Sequence, residues 1–129
     1  MADNSAIISG MYAAFAKGDV PAVLGAFDPK IEWTDADGFP TGGTYVGPDA
    51  VLNSVFMPLV TDWDGFTVTP DEVVASGDRV VSLGHYTGTN KKTGKSFKVP
   101  FAHAWRMKDG KVTHFHQYTD THIVQEAMK

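Results

Sequence analysis

Residues 97–120 constrain the fold more than any other stretch. They read Phe97-Lys-Val-Pro-Phe-Ala-His-Ala-Trp-Arg-Met-Lys-Asp-Gly-Lys-Val-Thr-His-Phe-His-Gln-Tyr-Thr-Asp120. Asp109-Gly110 divides two alternating runs, which predicts a hairpin, because glycine takes a positive φ without steric cost. Side chains on a strand alternate between faces. Phe97, Val99, Phe101, His103, Trp105 and Met107 therefore share one face, an apolar wall carrying a single imidazole. The same parity predicts that Val112, His114, His116, Tyr118 and Asp120 share a face of the second strand. An apolar wall beside a row of hydrogen-bonding groups predicts a small-molecule pocket rather than a featureless core.

The front of the chain has a different period. Ile8, Met11, Tyr12 and Phe15 follow the spacing of one buried helical face. Gly18 closes that helix, and Asp19 with Pro21 opens a second, which ends near Asp28-Pro29. Ile31, Trp33 and Asp35 alternate with Glu32 and Thr34, as in a short strand. A loop follows over residues 37–43. Gly47-Pro48-Asp49 opens a third helix carrying Val51, Leu52, Val55 and Phe56. From Gly65 onward the pattern is four antiparallel strands, with Pro70 marking an edge or bulge. Residues 121–128 predict a short terminal helix. Helices gathered ahead of a meander define an α+β class. A curved sheet wrapped around the helices would enclose a cavity.

Length and composition narrow the functions. The chain has 129 residues, enough for a single domain spanning 1–129. Its net charge is -4, and the lysines at 91, 92, 95 and 98 cluster only around one turn, so no nucleic-acid partner is expected. There is no cysteine, which excludes thiol chemistry. No apolar run reaches the roughly 20 residues that cross a bilayer, and no membrane partner is expected. The start, Met1-Ala-Asp-Asn-Ser5, lacks a basic leader, so a cytoplasmic location is expected.

Several segments then carry a resemblance. They are Tyr12-Ala-Ala-Phe-Ala-Lys-Gly-Asp19, Ile31-Glu-Trp-Thr-Asp35, Tyr45-Val-Gly-Pro-Asp-Ala50, Trp105-Arg-Met-Lys-Asp-Gly-Lys-Val112 and Tyr118-Thr-Asp-Thr121. In this order and spacing the chain resembles the nuclear transport factor 2-like superfamily, in its SnoaL-like polyketide cyclase and ketosteroid isomerase-related branch. The resemblance implies a cone-shaped α+β barrel, N-terminal helices packed in a strongly curved, mostly antiparallel sheet around one pocket. It also implies a homodimer through the outer sheet face and no cofactor. Phe115 is expected on that outer face, needing cover.

The resemblance points to three catalytic candidates. Asp120 stands where SnoaL-like cyclases carry a catalytic aspartate; it also precedes a helix, where an aspartate caps backbone N–H groups. His103 matches a strand position used for a proton donor; the alternative is a hydrogen-bonded core histidine. Asp35 roughly matches the ketosteroid isomerase general base, although Ala36-Asp37-Gly38 departs from that family's pattern, and a turn-forming aspartate is the alternative. Trp33, Tyr86, Phe101, Trp105, His116 and Tyr118 are expected to line the pocket. Either His85 or Tyr86 faces it, not both. His103, His114 and His116 have ligand chemistry for zinc, but no metal is expected, because His-x-His on a strand is common as a polar face. Leu83-Gly-His-Tyr86 lacks the arginine and aspartate of limonene epoxide hydrolases. The expected activity is cofactor-independent proton transfer on a small apolar carbonyl compound, by an isomerase or aldol cyclase. The alternatives are a binding module for an apolar ligand and a dimeric scaffold.

Overall fold

Six strands form one sheet in the order β2-β1-β6-β5-β4-β3. The computed structural model describes residues 3–129, so the polar start read at Met1-Ala2 lies outside the described residues. The strands are β1 (Phe27–Asp35), β2 (Gly43–Val46), β3 (Trp63–Ser76), β4 (Arg79–Asn90), β5 (Ser96–Lys108) and β6 (Lys111–Thr119). The helices are α1 (Asn4–Ala16), α2 (Val20–Gly25), α3 (Pro48–Val51), α4 (Met57–Asp62) and α5 (Thr121–Ala127). The α+β class is as expected. The sheet is curved but stays open, with β2 and β3 as its edges. A short strand at 43–46, read as loop or unassigned in the sequence, pairs antiparallel with β1. β1 in turn lies parallel to β6, tying the front of the chain to its last strand.

Local chemistry explains the breaks. Asp19 accepts the Ala22 N–H and starts α2, with Pro21 in its first turn. A π turn over Leu52–Phe56 joins α3 to α4, and the Met57 N–H reaches back to the Leu52 carbonyl. Pro58 follows directly. It has no N–H and its ring crowds the preceding turn, which a wider turn relieves. Pro70 sits on the edge strand β3, where the register with β4 shifts between Pro70 and Glu72. At the β5–β6 turn Asp109 has φ 51° and Gly110 φ 75°, the two positive values of a tight hairpin.

One irregularity changes the expected face of β6. Arg106 pairs with His114 but Met107 pairs with Val112, so Thr113 is an extra residue in a bulge. A bulge shifts the alternation by one. Val112 points inward, and after the bulge Phe115 and Gln117 do so as well. His114, His116 and Tyr118 are turned to solvent. The expectation that Phe115 lies on the outer face and needs cover is corrected: it is buried on the inner face, its ring stacked on Trp33 at 3.7 Å between centroids.

The core lies between the inner face of the sheet and helices α1 to α4. Ile8, Met11 and Tyr12 of α1 are buried there, together with Val51, Val55, Phe56 and Leu59. Phe15 of α1 meets Phe56 edge to face at 5.4 Å.

Candidate functional site

The inner wall of β5 carries His103 as its period predicts. The residue is buried between Phe101 and Trp105. Phe101 stacks on the imidazole at 3.9 Å between centroids. That stack depends on Gly84, which pairs with Phe101 across β4 and β5. A Cβ at Gly84 would lie 2.1 Å from the Thr69 carbonyl oxygen of β3 and 2.7 Å from the Phe101 ring. The missing side chain thus makes room for the ring that braces His103.

Both imidazole nitrogens are bonded. Nδ1 pairs with the Tyr12 hydroxyl at 2.6 Å, and Nε2 pairs with the Tyr86 hydroxyl. Tyr12 continues to Ser82 Oγ at 2.6 Å, which accepts the Trp105 indole N–H at 2.9 Å. Gln117 Oε1 accepts the Ala36 N–H, so its amide nitrogen donates to Tyr86 Oη at 2.9 Å. The chain is Trp105–Ser82–Tyr12–His103–Tyr86–Gln117, with a donor at each end. Burial pushes the His103 pKa well below the ordinary histidine value, so the ring is neutral. Three hydroxyls and one neutral imidazole hold four hydrogens, and the three links among them use one each. One hydrogen is left over. Tyr12 and Tyr86 both line a cavity into which it can point.

Asp35 ends β1 on the same inner face and is only 3% exposed. Its Oδ1 accepts the Trp33 indole N–H at 3.0 Å, and Oδ2 accepts the Thr41 hydroxyl at 2.6 Å. Thr41 arrives there because the loop folds back tightly: Phe39 N–H bonds to the Ala36 carbonyl and Gly42 N–H to the Phe39 carbonyl. A Cβ at Gly42 would lie 2.7 Å from the Ala36 carbonyl oxygen, so this turn requires glycine. The loop is also held from outside, since Gln125 of α5 donates to the Gly38 carbonyl. Burial raises the Asp35 pKa to about 6, against the opposing pull of its two hydrogen bonds.

The cavity lies between these groups. It is lined by Tyr12, Trp33, Asp35, Phe39, Tyr86, His103, Trp105 and Gln117, with apolar residues of α1 and of the helical segment 48–62. Traced by the centre of a water-sized sphere, its free volume is about 60 Å³. That is room for about four waters. Among the described residues Asp35 is its one carboxylate, and no lysine or arginine lines it.

Of the residues expected at the site, Asp35, His103, Trp33, Tyr86 and Trp105 meet at this cavity. Phe101 stands behind His103. Three expectations are corrected. Asp120 is exposed and caps α5, accepting the His122 and Ile123 N–H groups. His116 and Tyr118 stack on each other on the outer face, placed there by the Thr113 bulge. The same bulge separates the three histidines weighed as zinc ligands: His114 lies outside, 2.9 Å from Glu32, while His103 lies inside. Of the pair on β4, Tyr86 faces inward and His85 reaches Asp71 on the outside. Gln117 and Tyr12 are the polar residues of the cavity wall that the sequence reading passed over, and the aromatic Phe39 and Phe66 were not expected there either. Helical periodicity had placed Tyr12 on the buried face of α1, and only its hydroxyl went unused. Nothing in the period of β6 pointed to Gln117.

The comparisons with known proteins agree with this architecture. Residues 8–115 match the SnoaL-like domain, and the chain belongs to that family. A crystallised NTF2-like protein of Burkholderia thailandensis E264 is 42% identical, with a TM-score of 0.97, covering 100% of this chain and 99% of that one. TerC, crystallised with polyporic acid, is 30% identical over 97% of each chain, with a TM-score of 0.87. A SnoaL-like polyketide cyclase, so described for Jannaschia sp. CCS1, shares the fold at 18% identity and a TM-score of 0.81, over 96% of this chain and 90% of that one. No protein of curated function matches the chain. No helix among the described residues is long and apolar enough to cross a membrane.

Proposed function

We propose that the protein is a cofactor-independent acid/base enzyme acting on a small apolar carbonyl compound, of isomerase or aldol-cyclase type. The observation that carries this reading is a buried carboxylate with a pKa of about 6 sharing one aromatic cavity with the Tyr86 hydroxyl. Near pH 7 Asp35 is mostly ionised yet still a useful base, since a catalytic pKa works best close to the operating pH. Asp35 takes the proton from the carbon next to the carbonyl. The electron pair moves onto the carbonyl oxygen, where the Tyr86 O–H donates a hydrogen bond to the growing charge. The proton then returns at a different carbon in an isomerisation. In a cyclisation the enolate carbon instead attacks a second carbonyl of the same molecule. His103 stays neutral and holds Tyr86 in place. Asp120 has no part in this scheme.

TerC, the relative co-crystallised with polyporic acid, supports a small organic ligand for this fold. The reading is tested by deuterium exchange. Small ketones incubated with the protein in D₂O should gain deuterium next to the carbonyl, followed by NMR. Asp35→Asn should abolish the gain and Tyr86→Phe should slow it about 10²- to 10³-fold, the usual cost of one such donor. Exchange that survives Asp35→Asn unchanged removes the base from the scheme. Binding without exchange across a broad ketone set favours the non-catalytic binding module.

We also propose that two copies associate through the outer sheet face. Val81 and Leu83 of β4 and Tyr118 of β6 are 44%, 41% and 55% exposed there. Such a patch tends to mark an interface.

A further inference from the structure

Among the described residues the Asp35 carboxylate has no charged partner. Its two hydrogen bonds come from an indole and a hydroxyl, both neutral. The imidazole in the cavity is neutral, and no lysine or arginine among the described residues lines it. A buried, ionised carboxylate is costly unless a positive charge compensates it. Trp33, Phe39, Phe66 and Tyr86 are among the aromatic residues that line the cavity with it. Trp33 is bonded to the carboxylate itself, while Phe39, Tyr86 and Phe66 form a connected row with centroid spacings of 5.7 and 5.5 Å. Ring faces attract cations, and alkylated ammonium groups are the ligands such cages hold best. The free volume, about 60 Å³, suits a group of only a few heavy atoms.

We propose that this cavity binds a small organic cation, of the tertiary or quaternary ammonium class, with Asp35 as counter-ion and the Trp33, Phe39, Phe66 and Tyr86 rings as its cage. The binding shares the cavity with the proton-transfer reading but does not depend on turnover. An occupying cation would block a carbonyl substrate.

The pH dependence follows from the groups facing Asp35. Tyr86 from β4, Tyr45 from β2 and Tyr12 from α1 are phenols whose pKa values burial raises further. His103 from β5 is held neutral, and Asp37 on the adjoining loop is exposed. Between pH 5 and 7.5 Asp35 is thus the cavity group that changes charge. With its pKa at about 6, the ionised fraction falls about tenfold over that range on going to acid, and cation affinity should fall with it.

Calorimetric titration with tetramethylammonium chloride tests this, with tert-butyl alcohol as a neutral probe of similar size. Wild-type protein should bind tetramethylammonium about tenfold more tightly at pH 7.5 than at pH 5. Asp35→Asn should weaken it at least about tenfold at pH 7.5, a loss of about 1.4 kcal/mol or more. Tert-butyl alcohol should bind both proteins alike, and Asp120→Asn should bind the cation as wild type does. Equal cation affinity in wild type and Asp35→Asn overturns the proposal. So does an affinity independent of pH, which needs no variant to fold. Cation binding without ketone exchange leaves this inference standing and sinks only the enzyme reading; exchange without cation binding does the reverse.

Discussion

Replacing Asp35 by asparagine should make the protein more stable at neutral pH while removing its candidate base. The reasoning runs through linkage. Burial raises the carboxyl pKa from 3.8 to about 6, so the folded state holds a proton that the unfolded chain has released. A raised folded pKa gives stability that is fully present below the unfolded value and lost as pH rises through the folded one. The window is therefore about pH 4 to 6. The full shift corresponds to about 3 kcal/mol, at 1.36 kcal/mol for each unit. Between pH 4.5 and 7.5 the part lost is about 2 kcal/mol. Asparagine cannot ionise, and its carbonyl can still accept from Trp33. Urea unfolding, followed by tryptophan fluorescence, should show wild type losing about 2 kcal/mol more than Asp35→Asn between these two pH values. Comparing the two proteins cancels the contributions of the other carboxylates. Identical losses would refute the buried, uncompensated carboxylate on which both functional readings rest.

Asp120 separates a cap from a catalyst. Asp120→Asn should leave stability and ketone exchange nearly unchanged, whereas Asp120→Ala should cost about 1 kcal/mol in denaturant unfolding; a large drop in exchange for the asparagine variant would restore Asp120 to the mechanism. Gly84→Ala should destabilise the fold by about 1–3 kcal/mol, the cost of overpacking a core, and NMR should show a shifted His103 environment. An unchanged melting temperature would mean that both the β3 backbone at Thr69–Pro70 and the Phe101 ring give way at no cost, against the close approach described. Light scattering should give a dimer mass at micromolar concentration, and Leu83→Glu should return the monomer; a monomeric wild type counts against the outer-face contact.

The fold was largely legible because its cues are local. Alternation over Phe97–Met107 put His103 on the inner wall, and the helical spacing of Ile8, Met11 and Tyr12 put α1 beneath it. Asp109-Gly110 set the hairpin. The site was only partly legible. Trp33 and Asp35 came from the same alternation, but whether Asp35 belonged to strand or turn depended on Thr41 returning through the 36–42 loop, a contact six residues away. Asp120 carried two compatible local meanings, and only tertiary placement separates them. The reading of β6 failed for a different reason. Strand parity is a count, and one extra residue at Thr113 reverses every assignment after it. The parallel β1–β6 pairing was also out of reach, since it joins segments about eighty residues apart in the chain.

That extra residue also bears on how such pockets diverge. A chain lacking the position of Thr113 would join Val112 directly to His114 opposite Met107 and Arg106 in unbroken alternation, so Phe115 and Gln117 would still face inward and His114, His116 and Tyr118 outward. One codon deleted there would remove the bulge and keep the wall chemistry, amide inside and imidazoles outside, whereas the same length of strand paired without a bulge would exchange them. Where homologous chains are aligned, a gap at this position is therefore compatible with the same pocket, and a gap further along β6 is the one that would turn its wall over.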